Sequence, residues 1–383
     1  MQLDPFWYEQ SAPPAHNKNG QVGCSDAVAF RASRELFPAG ITGLHNATGL
    51  PLLLYTAMWS ADKTPAAYPD YRFIKSTSFK DGFAQQVEAN VAPADSHRWY
   101  SAIFQNMSGG APPTGPTCSF ETGVDYTGGS GSATVSSFLG ATPATCCAAC
   151  QKNPLCKVWT TTTPGADGRC WLKTAAALSK RIHSADRISM RSAVGGGSPM
   201  VGFEVDFLDS NLLTFSEFTS TFGAAAAWMG GWGNAAEDFG LSAQICMDIP
   251  SAAMNSLLLP AISNARASED NFPGGNAAAS PGWQQGRWKI AYTSLFYDAL
   301  DLAPFFDVVW TSAVEPGNPY KGASRNNVEL QFMLSSLGNG PLGIGDGIGK
   351  SNRSRIMQAV EADGSLRKAL KPLTPIDAMF GGA

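Results

Sequence analysis

The sequence predicts an α/β fold: a TIM (β/α)8-type barrel interrupted by a small disulfide-rich module. Three observations predict it. Short apolar runs ending in acidic or aromatic residues alternate with stretches of helical periodicity, the pattern of a buried parallel sheet covered by helices. Six of the eight cysteines fall between Cys118 and Cys170, a density typical of modules too small to build a core of their own. Removing that segment leaves roughly 300 residues, the size of such a barrel.

The apolar runs come in order. They are MQLDPFWY at the start, LPLLLYTAMWSAD from Leu50, MVGFEVDF from Met200, LSAQICMD from Leu241, ISNARASED from Ile262, FFDVVWTS from Phe305 and PLGIGD from Pro341. Helical stretches lie between them. Asp95 or Ser96 can cap a helix that carries apolar residues at helical spacing through Phe104. Phe222 to Phe239 is alanine-rich and runs into Gly240, a suitable C-terminal stop. Trp288 to Leu302 repeats apolar residues every three or four positions. A doubly wound sheet is the competing architecture, but no glycine fingerprint follows an early strand. The glycine-rich GIGDGIGK at 343–350 lacks the spacing of a phosphate-binding loop.

Composition narrows the function classes. The chain of 383 residues has 27 Lys and Arg against 31 Asp and Glu, a net charge of −4, which argues against nucleic acid as a partner because phosphate binding needs a basic face. The longest apolar stretch, Leu50 to Trp59, is broken by Thr56 and falls short of the ~20 residues a bilayer requires, so no membrane span is expected. His16, His45, His97 and His183 are scattered, without HxH or HExxH spacing, so no metal and no cofactor is expected. The CCxxC and CxxxxxC spacing at 146–156 is not a pair of zinc knuckles, and no His lies between Cys118 and Cys170. The 40 Gly and 25 Pro describe a loop-rich globular protein.

In a barrel, the active site is built at the carboxyl ends of the strands. Those ends present Asp4, Trp59 with Asp62, Asp206, Asp248, Asp270, Asp307 with Trp310, and Asp346. A single Asp at such a place is ordinarily a helix cap or a turn former. Recurrence of carboxylates and aromatic rings at nearly every mouth is what a sugar site needs. Aromatic faces pack on pyranose C–H surfaces, and carboxylates bind hydroxyls or carry protons.

Gly/Pro-rich joints, SGGAPPTGP from Ser108 and AVGGGSP from Ala193, flank the cysteine-rich segment and mark an inserted domain. The domains expected are 1–116 and 196–383 for the two parts of the barrel, with 117–195 inserted. Inside the insertion, TPATCCAACQKNPLCKVWTTTTPGADGRCWLK resembles the PAN/apple family, an α+β module in which a CCxxC helix faces a strand ending in CxLK. The resemblance implies that Cys150 pairs with Cys156, Cys146 with Cys170 and Cys147 with Cys118; the sequence alone permits 15 pairings. It also implies binding of a protein or glycan ligand, and no chemistry in the module itself.

The flanking regions resemble a second family, the α-galactosidase and raffinose synthase (seed-imbibition) group of retaining glycosidases. ARASEDNFPG at 265–274 is similar to that family's RASDDF segment. WKIAYTSLFYDALDLAPFFDVVWTS follows in the place of its helix and seventh strand, GPLGIGDGIGKSN is similar to its eighth strand, and EADGSLRKALKPLTPIDAMF to its exit from the barrel. VGFEVDF stands where the family has VKVD, and MQLDPFWY where it has the IDDGW of the second strand.

The resemblance implies a retaining α-glycosidase or transglycosidase acting on a carbohydrate substrate. Asp206 becomes the nucleophile and Asp270, last in an RxxxD pattern from Arg266, the general acid/base. Asp4, Trp59, Arg266, Asp307 and Asp346 become substrate-binding residues. Three departures stand out, the first being that the family's RASDD pair has become Ser268-Glu269-Asp270. The family's Lys before the nucleophile is Glu204, and its DDGW is reduced to Asp4-Pro5-Phe6-Trp7. If MQLDPFWY is the second strand, the first strand is missing, and the resemblance implies an incomplete chain, as does the absence of a secretory leader pattern in the opening residues.

Disulfides and three Asn-x-Ser/Thr sequons, at Asn46, Asn106 and Asn352, point to an oxidising compartment, secreted or vacuolar-lysosomal. The alternative function is a catalytically inactive barrel that binds glycan or protein through the inserted module.

Overall fold

The structure is a computed structural model that describes residues 1–3, 7–10, 15–16, 22–23, 27–76, 79–80, 85–107, 121–127, 134–151, 156, 158–162, 168–174, 181–191, 200–268, 290, 292–313, 328–362 and 364–373. The chain forms a mixed α/β fold. Its centre is a six-stranded parallel sheet whose strands follow chain order: Gln2–Leu3, Leu52–Thr56, Met200–Val205, Ser242–Ile245, Ile262–Arg266 and Ala303–Phe305. Adjacent pairs are all parallel. A further parallel bridge joins Val309 to Ile344, within the last two apolar runs. Each predicted run thus supplies a strand or a bridge. Sequential order with every strand parallel requires a crossover between neighbours, and helices supply several of these.

Those helices fall where the periodicity predicted them. Ser96–Met107 buries Trp99, Tyr100, Ile103, Phe104 and Met107 on one face. Phe203 of the sheet packs on Tyr100 and Phe104, with centroids 5.6 and 4.8 Å away. Ala224–Asp238 follows the alanine-rich stretch, and Gly240 turns left-handed just after it, at φ +64°. The two helices meet where Gly231 faces Ser96: a Cβ on Gly231 would lie 2.4 Å from the Ser96 side chain. Residues 292–299 form the helix expected from the third periodic stretch.

The opening run departs from a single strand. Gln2–Leu3 joins the parallel sheet, but Tyr8–Gln10 belongs to a second, five-stranded sheet with Ala27–Ala32, Trp59–Ser60, Glu88–Val91 and Phe73–Lys75. LPLLLYTAMWSAD divides in the same way, with Trp59–Ser60 going to this second sheet. Its core is aromatic: Trp59, Tyr68, Tyr71 and Phe73 all make edge contacts with Trp99.

The cysteine-rich module is a five-stranded antiparallel sheet of Glu121–Tyr126, Arg181–Arg191, Val158–Thr162, Cys170–Lys173 and Thr134–Phe138. The helix Pro143–Gln151 carries the CCxxC residues onto it. Disulfides Cys146–Cys170 and Cys150–Cys156 close this small core around Trp159 and Leu172. Cys147 is disulfide-bonded as well; Cys118, the partner the resemblance implies for it, lies outside the described residues. A buried ion pair adds to the core. Lys173 Nζ donates to Asp125 Oδ1 at 2.6 Å and to the Tyr126 carbonyl at 2.6 Å.

Candidate active site at the carboxyl edge of the parallel sheet

Because all six strands run the same way, their carboxyl ends share one edge. Val205 is level with Thr56 on one side and Ile245 on the other, and Arg266 with Phe305. Ile245 is in turn level with Ala265, so the next residues outward are Asp206, Cys246 and Arg266. The ladder extends to reach them: Asp206 N donates to Thr56 O at 2.9 Å, and Cys246 N to Val205 O at 3.0 Å.

Asp206 is 8% exposed. Its Oδ2 accepts from the Tyr55 hydroxyl at 3.0 Å, and its Oδ1 from the Phe207 backbone N at 2.8 Å. The second contact depends on backbone strain. Phe207 is left-handed, at φ 53°, which costs on the order of 1–2 kcal/mol for a residue with a Cβ. The turn folds its own N–H back onto the carboxylate and starts the helix Leu208–Thr214. Asn211 on that helix donates to the Asp206 carbonyl at 3.0 Å and accepts from Asn90 at 2.8 Å. Asn90 in turn accepts from Trp228 Nε1 at 3.0 Å. The backbone of Asp206 is thus fixed by a chain of buried amides.

Burial pushes the Asp206 carboxyl above its ordinary range, opposed first by the charge of Arg266 and then by hydrogen bonds from Cys246, Phe207 and Tyr55. Desolvation outweighs the partners, as it does for a carboxylate in an apolar pocket. The Cys246 thiol is pushed well up by its own burial and by Asp206, so it stays protonated and serves as a donor.

A second carboxyl stands two residues further on. Met247 is left-handed too, at φ 47°, and delivers Asp248 to the same edge. Asp248 Oδ1 accepts from the Tyr297 hydroxyl at 2.5 Å, while Oδ2 is buried with no hydrogen-bond partner among the described residues. Burial raises its pKa to about 6 against the pull of Tyr297 and Arg266. Among the described residues only Phe207, Met247 and Asp301 are non-glycine with positive φ, and two of the three adjoin these carboxyls. Strain held in place beside two carboxyls with raised pKa values is a recurrent mark of functional sites.

On the face of the sheet that Asp206 shares, two residues below it, Glu204 is level with Gln244 and Gln244 with Asn264. Glu204 accepts from Gln2 Nε2 at 2.5 Å, which explains how a carboxylate is tolerated at 3% exposure.

The sequence-predicted residues separate into groups. Asp206 and Arg266 are brought together at the edge. Asp307 lies just beyond the Ala303–Phe305 strand, where its backbone N donates to Ser268 Oγ at 2.9 Å and its own Oδ1 accepts from Val308 N at 2.8 Å. Asp346 holds Thr311, accepting from its N at 2.7 Å and its hydroxyl at 2.5 Å, a clamp between the last two apolar runs. Trp59 is fully buried against Trp99 in the second sheet. Asp4 and Asp270 lie outside the described residues.

Sequence reasoning had named Asp248 only as one of several strand-end acids, and it missed Tyr297 altogether. No spacing links the two, because their contact spans 49 residues.

Among the described residues, no group of three or more His, Cys, Asp or Glu is placed to hold a metal ion, and no helix is long and apolar enough to cross a membrane. What the arrangement can do is hold one carboxylate in a fixed direction, beside an arginine and a second carboxyl that burial pushes up to about 6.

Comparison with known families finds one match, to the family model described as PAN domain, over residues 122–173. It covers four of the five strands of the antiparallel module, with Arg181–Arg191 outside it, and both of the described disulfides. No curated protein matches the chain.

Proposed function

We propose that this protein is a retaining α-glycosidase or transglycosidase, in which the parallel sheet belongs to a (β/α)8-type barrel and Asp206 is the nucleophile. The observation that carries the reading is the state of Asp206. It is a buried carboxylate at the carboxyl end of a central parallel strand, oriented through both oxygens and set beside Arg266.

In the double displacement, Asp206 attacks the anomeric carbon while the general acid protonates the leaving oxygen. The same acid, as base, then activates water or an acceptor hydroxyl to release the sugar. Asp270 is the residue proposed for that second role, four positions after Arg266. Arg266, Asp4, Asp307 and Asp346 are proposed to bind substrate; Trp59 is not, because its ring is fully buried against Trp99. Of these, Arg266 has the strongest support, since its charge acts directly on Asp206.

The test is hydrolysis of aryl α-glycosides by the wild type and by Asp206→Asn. A true nucleophile gives a loss of about 10³-fold or more. Equal rates in both refute the assignment.

The PAN match favours a second activity alongside the first, because such domains often mediate protein or carbohydrate binding. In this reading the module binds a glycan or protein ligand and directs the barrel to its substrate, in a secreted or vacuolar-lysosomal setting suited to its disulfides. If the wild type hydrolyses nothing but is retained on immobilised glycans, equally with Asp206→Asn, the inactive-barrel alternative replaces the first reading.

A further inference from the structure

We propose that Asp248 and Tyr297 are positioning residues, a hydrogen-bonded latch that ties the ends of two neighbouring strands and fixes Arg266 beside Asp206. The latch is read from its geometry. Tyr297, on the helix at 292–299, is 3% exposed. Its hydroxyl lies 2.5 Å from Asp248 Oδ1 and 3.3 Å from the backbone carbonyl of Arg266. Asp248 follows the Ser242–Ile245 strand, and Arg266 ends the Ile262–Arg266 strand. One phenol therefore spans both strand ends at the level of the candidate nucleophile.

The latch has two proton arrangements. A phenol carries a single proton. When Asp248 is ionised, that proton is committed to Oδ1, and the Arg266 carbonyl is left with a weak contact. When Asp248 is protonated, the carboxyl donates to the phenol oxygen, and the phenol proton turns to the Arg266 carbonyl. The strand carrying Arg266 is thus held more firmly in the protonated form.

The ionisable groups facing the pair are Arg266, Asp209, Cys246 and, through Arg266 and Cys246, Asp206. Burial raises Asp248 to about 6, and it moves Tyr297 far above its ordinary value, so of the two latch residues it is Asp248 that changes state near neutral pH. Asp248 Oδ2 has no competing donor among the described residues. The strained φ of 47° at Met247 aims Asp248 at the phenol.

The sign follows from linkage. A carboxyl with a folded pKa near 6 and an unfolded value of about 3.9 keeps its full stabilising contribution below pH 4 and loses it as pH rises through 6. Denaturant unfolding of the wild type, Asp248→Asn and Tyr297→Phe is measured from pH 4 to pH 7.5. The wild-type folding constant is expected to fall roughly 10- to 100-fold relative to Asp248→Asn across that window. Tyr297→Phe keeps the ring and removes a bond that favours the ionised form, so its inflection moves to higher pH. A ratio that does not change with pH, or an unmoved inflection in Tyr297→Phe, overturns the latch.

The positioning role rests on the proposed glycosidase reading and has its own readout. Tyr297→Phe is expected to lower kcat on aryl α-glycosides about tenfold, with little change in KM, and to shift the pH–rate profile along with the stability inflection. Wild-type-like kcat and pH profile in both variants overturn the positioning role. A wild type without hydrolytic activity overturns the glycosidase reading instead, and the unfolding series still decides the latch.

Discussion

The Tyr55 hydroxyl donates to Asp206 Oδ2 at 3.0 Å across the boundary of two adjacent parallel strands. Tyr55 is level with Glu204, two residues below Asp206 in the register, so its ring rises along the face of the sheet that Asp206 shares and meets the carboxylate from beneath. The bond opposes the upward push of burial. Tyr55→Phe preserves the ring volume and leaves one carboxylate oxygen without this donor. Because hydrogen bonds to charged groups are worth about 1.5–3 kcal/mol, that much stability is expected to be lost above the titration of Asp206 and less below it. The alkaline shift of the Asp206 titration appears as the same shift in the acid limb of the pH–rate profile.

Asp206→Asn is expected to separate activity from stability. The folded carboxyl has a raised pKa, so the folded state binds more protons than the unfolded chain between the two values. Wild-type stability therefore falls as pH rises above about 4. Asparagine carries no such titration. The variant should be inactive yet gain on the wild type as pH rises towards neutrality, the usual trade between a strained site and stability. Thermal unfolding at pH 4 and pH 7 checks it. A variant that loses ground on the wild type as pH rises would show that Arg266 and the hydrogen bonds outweigh burial.

Inside the antiparallel module, Lys173 and Asp125 are paired at 2.6 Å with side chains 8% and 16% exposed. Removing one partner strands the other charge, so Lys173→Met is expected to cost about 3–5 kcal/mol. Changing both residues to apolar ones of similar volume should recover most of that loss. Urea unfolding of the full chain, followed by Trp159 and Trp171 fluorescence, measures both. A double variant as unstable as the single one would mean that the hydrogen bonds to Tyr126 and Thr160, not the charge pair, carry the energy.

Much of this was legible in the sequence, and the exceptions have physical causes. Buried parallel strands tend to be continuous apolar runs, which marks Leu52–Thr56 and, apart from Glu204, Met200–Val205; Ser242–Ile245 and Ile262–Arg266 read SAQI and ISNAR and are marked by their place between helical stretches. The cysteine pattern, through its family resemblance, implied the two described disulfides. Asp206 stood out as the acid just beyond the end of such a run. The second sheet was not legible, because its strands share runs with the first: MQLDPFWY and LPLLLYTAMWSAD each bend from one sheet into the other, and apolarity does not mark the bend. Trp59 looked like a sugar platform for the same reason, and its ring lies against Trp99. The Asp248–Tyr297 pair was invisible because a strand end and a helix 49 residues later share no periodicity.

Gly231 is required by the approach of two helices. Ser96 Oγ donates to the Trp228 carbonyl at 2.7 Å, which draws the start of one helix against the middle of the other. A Cβ on Gly231 would meet Ser96 Cβ and Oγ at 2.4 Å and His97 N at 2.7 Å. Backbone cannot yield as a long side chain would, so Gly231→Ala is expected to cost about 1–3 kcal/mol, although alanine is the better helix former. Gly230→Ala is the control: it has nothing within 4 Å and should stabilise by up to about 1 kcal/mol. Equal midpoints for the two variants would mean that the helices separate freely.

The two described disulfides of the module differ in the loops they close, and their removal should differ accordingly. Cys146–Cys170 spans 24 residues and Cys150–Cys156 spans 6. The loop-entropy relation gives about 3.5 kcal/mol for the longer and about 2 kcal/mol for the shorter. Packing acts in the same direction. Cys146 and Cys170 are fully buried beside Trp159 and Leu172, whereas Cys150 and Cys156 are slightly exposed, so serines at the first pair also bury two hydroxyls in an apolar core. Paired serine variants, Cys146→Ser with Cys170→Ser and Cys150→Ser with Cys156→Ser, are compared by limited proteolysis of the full chain. The first should open the module to cleavage at markedly lower urea than the second. The reverse order would mean that the short loop, which holds the helix Pro143–Gln151 at its carboxyl end, nucleates the module and that loop length does not set its stability.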